Sequence, residues 1–122
     1  MTEKLEGKSL DSPEETREFK GGTGKVDIVT VGGVSVGRAV FQPGWRWSEH
    51  VKPLAGTESC QAAHTGYVLG GRMVVRMDSG EECEVGPGEA FYMPAGHDAW
   101  IVGDEPCTML DFTGMTRYAQ PA

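Results

Sequence analysis

Residues 84–100 read Glu-Val-Gly-Pro-Gly-Glu-Ala-Phe-Tyr-Met-Pro-Ala-Gly-His-Asp-Ala-Trp. A strand end runs into the turn Gly86-Pro87-Gly88, then the apolar strand Ala90–Met93, then a second turn, Pro94-Ala95-Gly96, that delivers His97. Proline presets φ for a turn and glycine supplies positive φ, so each cluster reverses the chain within a few residues. Four apolar residues between two such turns are too few for a helix and sufficient for a short strand. The segment therefore predicts tightly turned β-structure.

The same rhythm extends in both directions. Val26–Val31 and Val34–Gln42 flank Gly32-Gly33 and predict a hairpin. Trp45–His50 alternates large apolar with polar side chains and reads as a strand. Ala62–Leu69 and Met73–Met77 flank Gly70-Gly71, and Asp78-Ser79-Gly80 turns the chain again. Glu82–Val85, Ala99–Val102 and Thr108–Phe112 complete an all-β series with no helical period, as expected of an antiparallel sandwich or barrel. Residues 26–114 are read as this barrel and residues 1–25 as an N-terminal arm and linker. Residues 115–122 are read as a tail. Within the arm, Ser12-Pro13-Glu14-Glu15 carries capping and first-turn signals that predict a short helix over residues 13–18.

A chain of 122 residues is large enough for one domain with an ordinary core. Its 18 glycines and seven prolines fall between the apolar runs, against a helical bundle. A net charge of −7 argues against nucleic acid or an anionic membrane as partner. No apolar run approaches the roughly 20 residues of a membrane span, and the polar start reads as neither signal nor transit peptide. Cys60, Cys83 and Cys107 form no Cys-x-x-Cys pair and are odd in number, which predicts a reducing, cytoplasmic setting, with Cys83 and Cys107 as small strand residues. Neither a phosphate-binding glycine loop, a Gly-x-Ser-x-Gly elbow nor a helical His-Glu-x-x-His occurs.

Two motifs, in order and at matching separation, carry a family resemblance. Pro43-Gly44, five residues and then His50 is similar to the opening of the first cupin motif. His64-Thr65-Gly66-Tyr67-Val68-Leu69-Gly70-Gly71 is similar to its close, and Gly86-Pro87-Gly88 through His97 to the second motif. Over residues 40–112 the chain thus resembles small single-domain cupins of the conserved-barrel type. That resemblance implies a double-stranded β-helix, or jelly-roll barrel, holding a small-molecule pocket and commonly a metal. It departs from the pattern in three places. Lys52 stands where a second histidine is expected, and His64 replaces a glutamate. His97 directly follows Gly96, with Ala99 in the usual ligand slot.

All three histidines of the chain, His50, His64 and His97, fall at or beside ligand positions that the resemblance implies. Converging imidazoles would form an open site for a divalent transition metal such as Zn, Fe, Mn, Ni or Cu. Glu58 and Cys60, six and four residues before His64, are further candidate ligands. A regular strand would put Lys52 on the face of His50. At about 5 Å from a divalent ion its charge is repelled by roughly 6 kcal/mol at an effective dielectric of about 20. Either Pro53 turns it away or the pocket takes an anion, such as a carboxylate ligand. Trp45 and Trp47 read as core or dimer contact, or as a wall for a ligand. Tyr92 and Trp100 are candidate pocket residues, and Tyr92 and Asp98 candidate acids or bases. The expectation is a metal-binding small-molecule cupin, homodimeric, with a non-catalytic sensing module for a small organic anion as the alternative. Whether it is an enzyme, and of which reaction, the resemblance does not decide.

Overall fold

The computed structural model describes residues 4–113. Their strands are β1 (Glu15–Glu18), β2 (Gly24–Val31), β3 (Val34–Phe41), β4 (His64–Gly70), β5 (Arg72–Met77), β6 (Glu82–Val85), β7 (Ala90–Met93), β8 (His97–Val102) and β9 (Cys107–Asp111). Two single-turn helices, α1 (Trp47–His50) and α2 (Lys52–Ala55), lie between β3 and β4. Among the described residues one sheet runs β1-β2-β3-β9-β4-β7 and a second runs β6-β5-β8, every pairing antiparallel. The fold is the expected cupin jelly roll. No described helix is long and apolar enough to cross a membrane.

Alternation along the strands builds the core. On β4, His64, Gly66 and Val68 turn inward while Thr65 and Tyr67 face out, and β9 buries Cys107, Met109 and Asp111 in the same way. Met73 and Val75 of β5 and Ala99 and Ile101 of β8 meet them from the smaller sheet, and Phe19, Phe41, Trp45 and Trp47 complete the apolar interior. Cys83 and Cys107 do occupy strands, the first exposed and the second buried, and the described cysteines are free thiols.

Two local expectations are corrected. Residues 15–18 form an edge strand on β2 and not a helix. A single helical turn offsets its nucleation cost only through tertiary contacts, and residues 15–18 bury no apolar side chain that could supply them. Edge pairing instead gives Glu14 N–H to the Ile28 carbonyl and the Thr16 hydroxyl to the buried Asp27 carboxylate at 2.7 Å. The second correction lies at residues 45–50. The chain is extended through Arg46 and then coils into α1, because Asp98 on β8 accepts the free Ser48 N–H of its first turn at 3.0 Å. Alternation at Trp45 and Trp47 thus comes from two buried indoles in different local conformations, and period two ends before His50.

Candidate metal centre

Three segments distant in sequence supply one cluster. After α2, Gly56 closes the helix at φ +74°, and the chain runs to Cys60, which makes an isolated antiparallel bridge with His97. Cys60 N–H donates to the His97 carbonyl at 2.7 Å, and Gly96 N–H donates to the Cys60 carbonyl at 2.7 Å. The bridge holds Cys60 and His97 opposite each other. Gly96, at φ +90°, turns the chain so that β8 begins with His97 pointing inward. His64 opens β4 on its buried face. Asp111 stands across from Gly66 on the neighbouring β9, diagonal to His64.

The ligand atoms of Cys60, His64 and His97 all lie within 4.8 Å of one another, and all three residues are buried. Cys60 Sγ is 3.7 Å from His64 Nε2. A tetrahedral ion with S and N ligands at ordinary bond lengths sets these atoms about 3.6 Å apart, so the observed pair is already at metal-bridging separation. Each histidine also has its other nitrogen engaged. His64 Nδ1 makes a short contact with the Asp111 carboxylate, and His97 Nδ1 donates to the Pro94 carbonyl at 2.7 Å. With Nδ1 held by an outer partner in each case, Nε2 is the nitrogen that an imidazole so arranged would give to a metal. The donor set fits a transition metal.

Electrostatics agree. Burial alone opposes ionisation of Cys60, but hydrogen bonds from His64 and His97, with their charge, bring its thiol down to about 6. Burial likewise opposes a charged His64, yet its contacts with Asp111 and Cys60 raise it to about 9. Cys107, buried in the same barrel without such partners, is pushed up to about 11 by desolvation. The contrast between the two buried cysteines lies in their neighbours.

Above the cluster lies a cavity walled by Phe41, Trp45, Trp47, Met73, Phe91, Met93 and Met109, with His64, His97 and Asp111 at its polar end. It leaves about 30 Å³ for the centres of water-sized molecules.

The other sequence candidates are distributed around this centre. His50 stands outside the cluster, half-buried on α1, where its Nδ1 accepts the Arg46 N–H at 3.0 Å. Lys52 pairs with the exposed Glu58 at 2.9 Å, so the anticipated repulsion is absorbed by a surface ion pair. Tyr92 is exposed on the outer face of β7. Trp100 is half-buried beneath the Arg46 guanidinium, 4.4 Å from its ring. Asp98 is occupied at the start of α1. Asp111 had not been singled out, although a lone acid between Leu110 and Phe112 in an apolar strand was a legible sign of a buried carboxylate.

No curated protein matches the chain. Among solved structures, a Vibrio parahaemolyticus protein of unknown function is 18% identical, with a TM-score of 0.60 over 80% of this chain and 95% of that one. The polyketide cyclase RemF from Streptomyces resistomycificus is 18% identical, with a TM-score of 0.62 over 90% and 79%. Oxalate decarboxylase from Lactobacillus farciminis, solved as a formate complex, is 22% identical, with a TM-score of 0.57 over 85% of this chain and 32% of that one. At these identities the likeness is one of fold. The cupin domain family model matches residues 37–113, which span β4 to β9, both turns of the second motif and all three members of the cluster. The chain belongs to the cupin domain family.

Proposed function

We propose that this cupin holds one divalent transition metal on Cys60, His64 and His97 and presents it to a small molecule in the apolar cavity. The observation that carries the reading is the preparation of both imidazoles. Asp111 and the Pro94 carbonyl occupy the Nδ1 atoms, and the remaining donors converge with the Cys60 sulfur. A bound metal there would act as a Lewis acid toward a ligand oxygen. The chain's own part is to orient the imidazoles, keep the thiol ionised and exclude water with the methionine and aromatic walls. A thiolate among the donors favours Zn, Fe, Ni or Cu over Mn, which prefers oxygen ligands.

The sensing alternative also has an observation in its favour. Tyr92 and Asp98, the candidate acid and base groups, are both outside the cavity, whose described walls beyond the cluster and Asp111 are apolar or indole. Elemental analysis of untagged protein tests the shared claim. Near-stoichiometric zinc or iron in the wild type and in His50→Ala is expected, with loss in Cys60→Ala, His64→Ala and His97→Ala. Wild-type protein that stays empty after incubation with Zn, Fe, Ni and Cu would refute it. A metal-loaded protein that binds small ligands and leaves them unchanged would favour the sensor.

A further inference from the structure

Half of the larger sheet has a bare outer face. On the outer side of β4, β7 and β9, Tyr92, Thr65 and Phe112 lie in one row and Ala90, Tyr67 and Leu110 in the next. Leu69 follows along β4. Tyr92 is 66% exposed, Leu69 49%, and Tyr67 and Phe112 40% each, so four of the seven large exposed apolar side chains among the described residues are neighbours here. None of these outward residues is charged, in a chain whose 11 basic and 18 acidic residues leave a net charge of −7. Beyond Leu110 the second row continues through Arg38 and Asp27. There the chain's own N-terminal arm supplies partners, since Arg38 donates to the Leu10 carbonyl at 3.2 Å and to the Asp11 carboxylate at 2.9 Å. The arm serves the charged half of the sheet and leaves the uncharged half exposed. A contiguous exposed apolar patch of this kind marks an interaction surface.

We infer that the outer face of β4, β7 and β9 is the two-fold contact through which two copies of this chain form a dimer. Charge selects a second copy as the occupant. An unlike protein is steered and chosen by complementary charge, and this face offers none. A copy of the same chain carries the same net −7, and a two-fold contact sets residues near its axis against themselves. A face without charges lets two such chains meet with no like charges in contact. Its tyrosines and phenylalanine supply the large aromatic area typical of an interface core. Trp45 and Trp47, the candidates for a dimer contact from sequence, are 2% exposed inside the barrel and leave that role to this face. The inference does not depend on the metal.

Sedimentation equilibrium of the full chain tests the assignment. The wild type is expected to reach twice the chain mass by about 100 µM. Tyr67→Lys, Tyr67→Glu and Tyr92→Lys should each raise the dissociation constant about a hundredfold with the far-ultraviolet spectrum unchanged, because every substitution enters the contact twice. Either sign of charge should act alike. Val102→Lys, at an exposed apolar residue on the smaller sheet, should dimerise as the wild type does. Oxidative footprinting of the wild type, which needs no variant, should show Tyr67, Tyr92 and Phe112 becoming protected as concentration rises while Trp100 on the smaller sheet does not change. A wild type that stays monomeric at about 100 µM would overturn the proposal and leave the face to an unlike partner or to residues 114–122. A dimer untouched by the tyrosine substitutions, or weakened as much by Val102→Lys, would place the contact elsewhere and overturn it as well.

Discussion

The Cys60–His64 pair reverses the usual location of a proton. In an unfolded chain the imidazole titrates near 6.5 and the thiol near 9.0, so at neutral pH the proton sits on sulfur. In the folded, metal-free protein the thiol lies at about 6 and His64 at about 9, so the proton sits on the imidazole between Cys60 and Asp111. The raised His64 contributes stability that is full below 6.5 and is lost as pH rises through about 9. The lowered Cys60 contributes stability that is full above 9.0 and is lost as pH falls through about 6. Between those limits the two slopes have opposite sign and cancel, since folded and unfolded pairs bind the same number of protons. Urea unfolding of chelated protein is therefore expected to show little pH dependence from this pair. In Cys60→Ser the His64 slope is left alone, and stability relative to wild type should fall with rising pH above 6.5, by at most about 1.4 kcal/mol per unit. Parallel curves for the two proteins would refute the proton exchange. His64 and His97 were legible from their turn and strand context. Cys60 was legible only as a candidate, because its position depends on a bridge to a residue 37 positions away.

Strand β4 carries the strictest steric demand among the elements that build the site. A Cβ on Gly66 would lie 1.9 Å from the Leu110 carbonyl oxygen and 2.7 Å from Phe91 Cζ, so β9 and β7 approach this strand more closely than any side chain permits. Gly70, near the other end of β4, has nothing within 4 Å of such an atom and does not have positive φ. Gly66→Ala should cost about 2–3 kcal/mol or more in chemical unfolding and disturb the His64–Asp111 contact, which spans the same strand pair. Gly70→Ala should stay within about 1 kcal/mol of wild type. Similar losses for both would show that intrinsic strand preference, and not the approach of β9, sets the cost. The strands themselves were readable because turn residues bound every one of them and alternation marks their inner faces. β1 and α1 were misread because their partners are remote. β2 supplies the hydrogen bonds that make residues 15–18 a strand, and Asp98 supplies the acceptor that starts the helix at Trp47.

At the scale of the whole molecule the proposed metal ties the two sheets together. His64 belongs to the larger sheet and His97 to the smaller, while Cys60 ends the long β3–β4 connection that carries both helices. That connection is joined to the barrel by the Cys60–His97 bridge, the Ile101 N–H to Trp45 carbonyl bond at 3.1 Å and the Asp98 contact to α1. An ion shared by all three segments stabilises only the folded chain, because unfolding disperses its ligands. Saturation at about a hundred times the dissociation constant adds roughly 2.7 kcal/mol, or about 10 °C in melting temperature for a domain of this size. Calorimetric melting of zinc-loaded and chelated protein should differ by about that amount, and the difference should vanish in Cys60→Ala and His97→Ala but persist in His50→Ala. The same contrast should appear in hydrogen exchange, where amide protons of the β3–β4 connection gain protection on loading and those of the remote β2–β3 hairpin do not. Uniform stabilisation of wild type and cluster variants by zinc would place the ion elsewhere, and the link between the sheets would then rest on protein contacts alone.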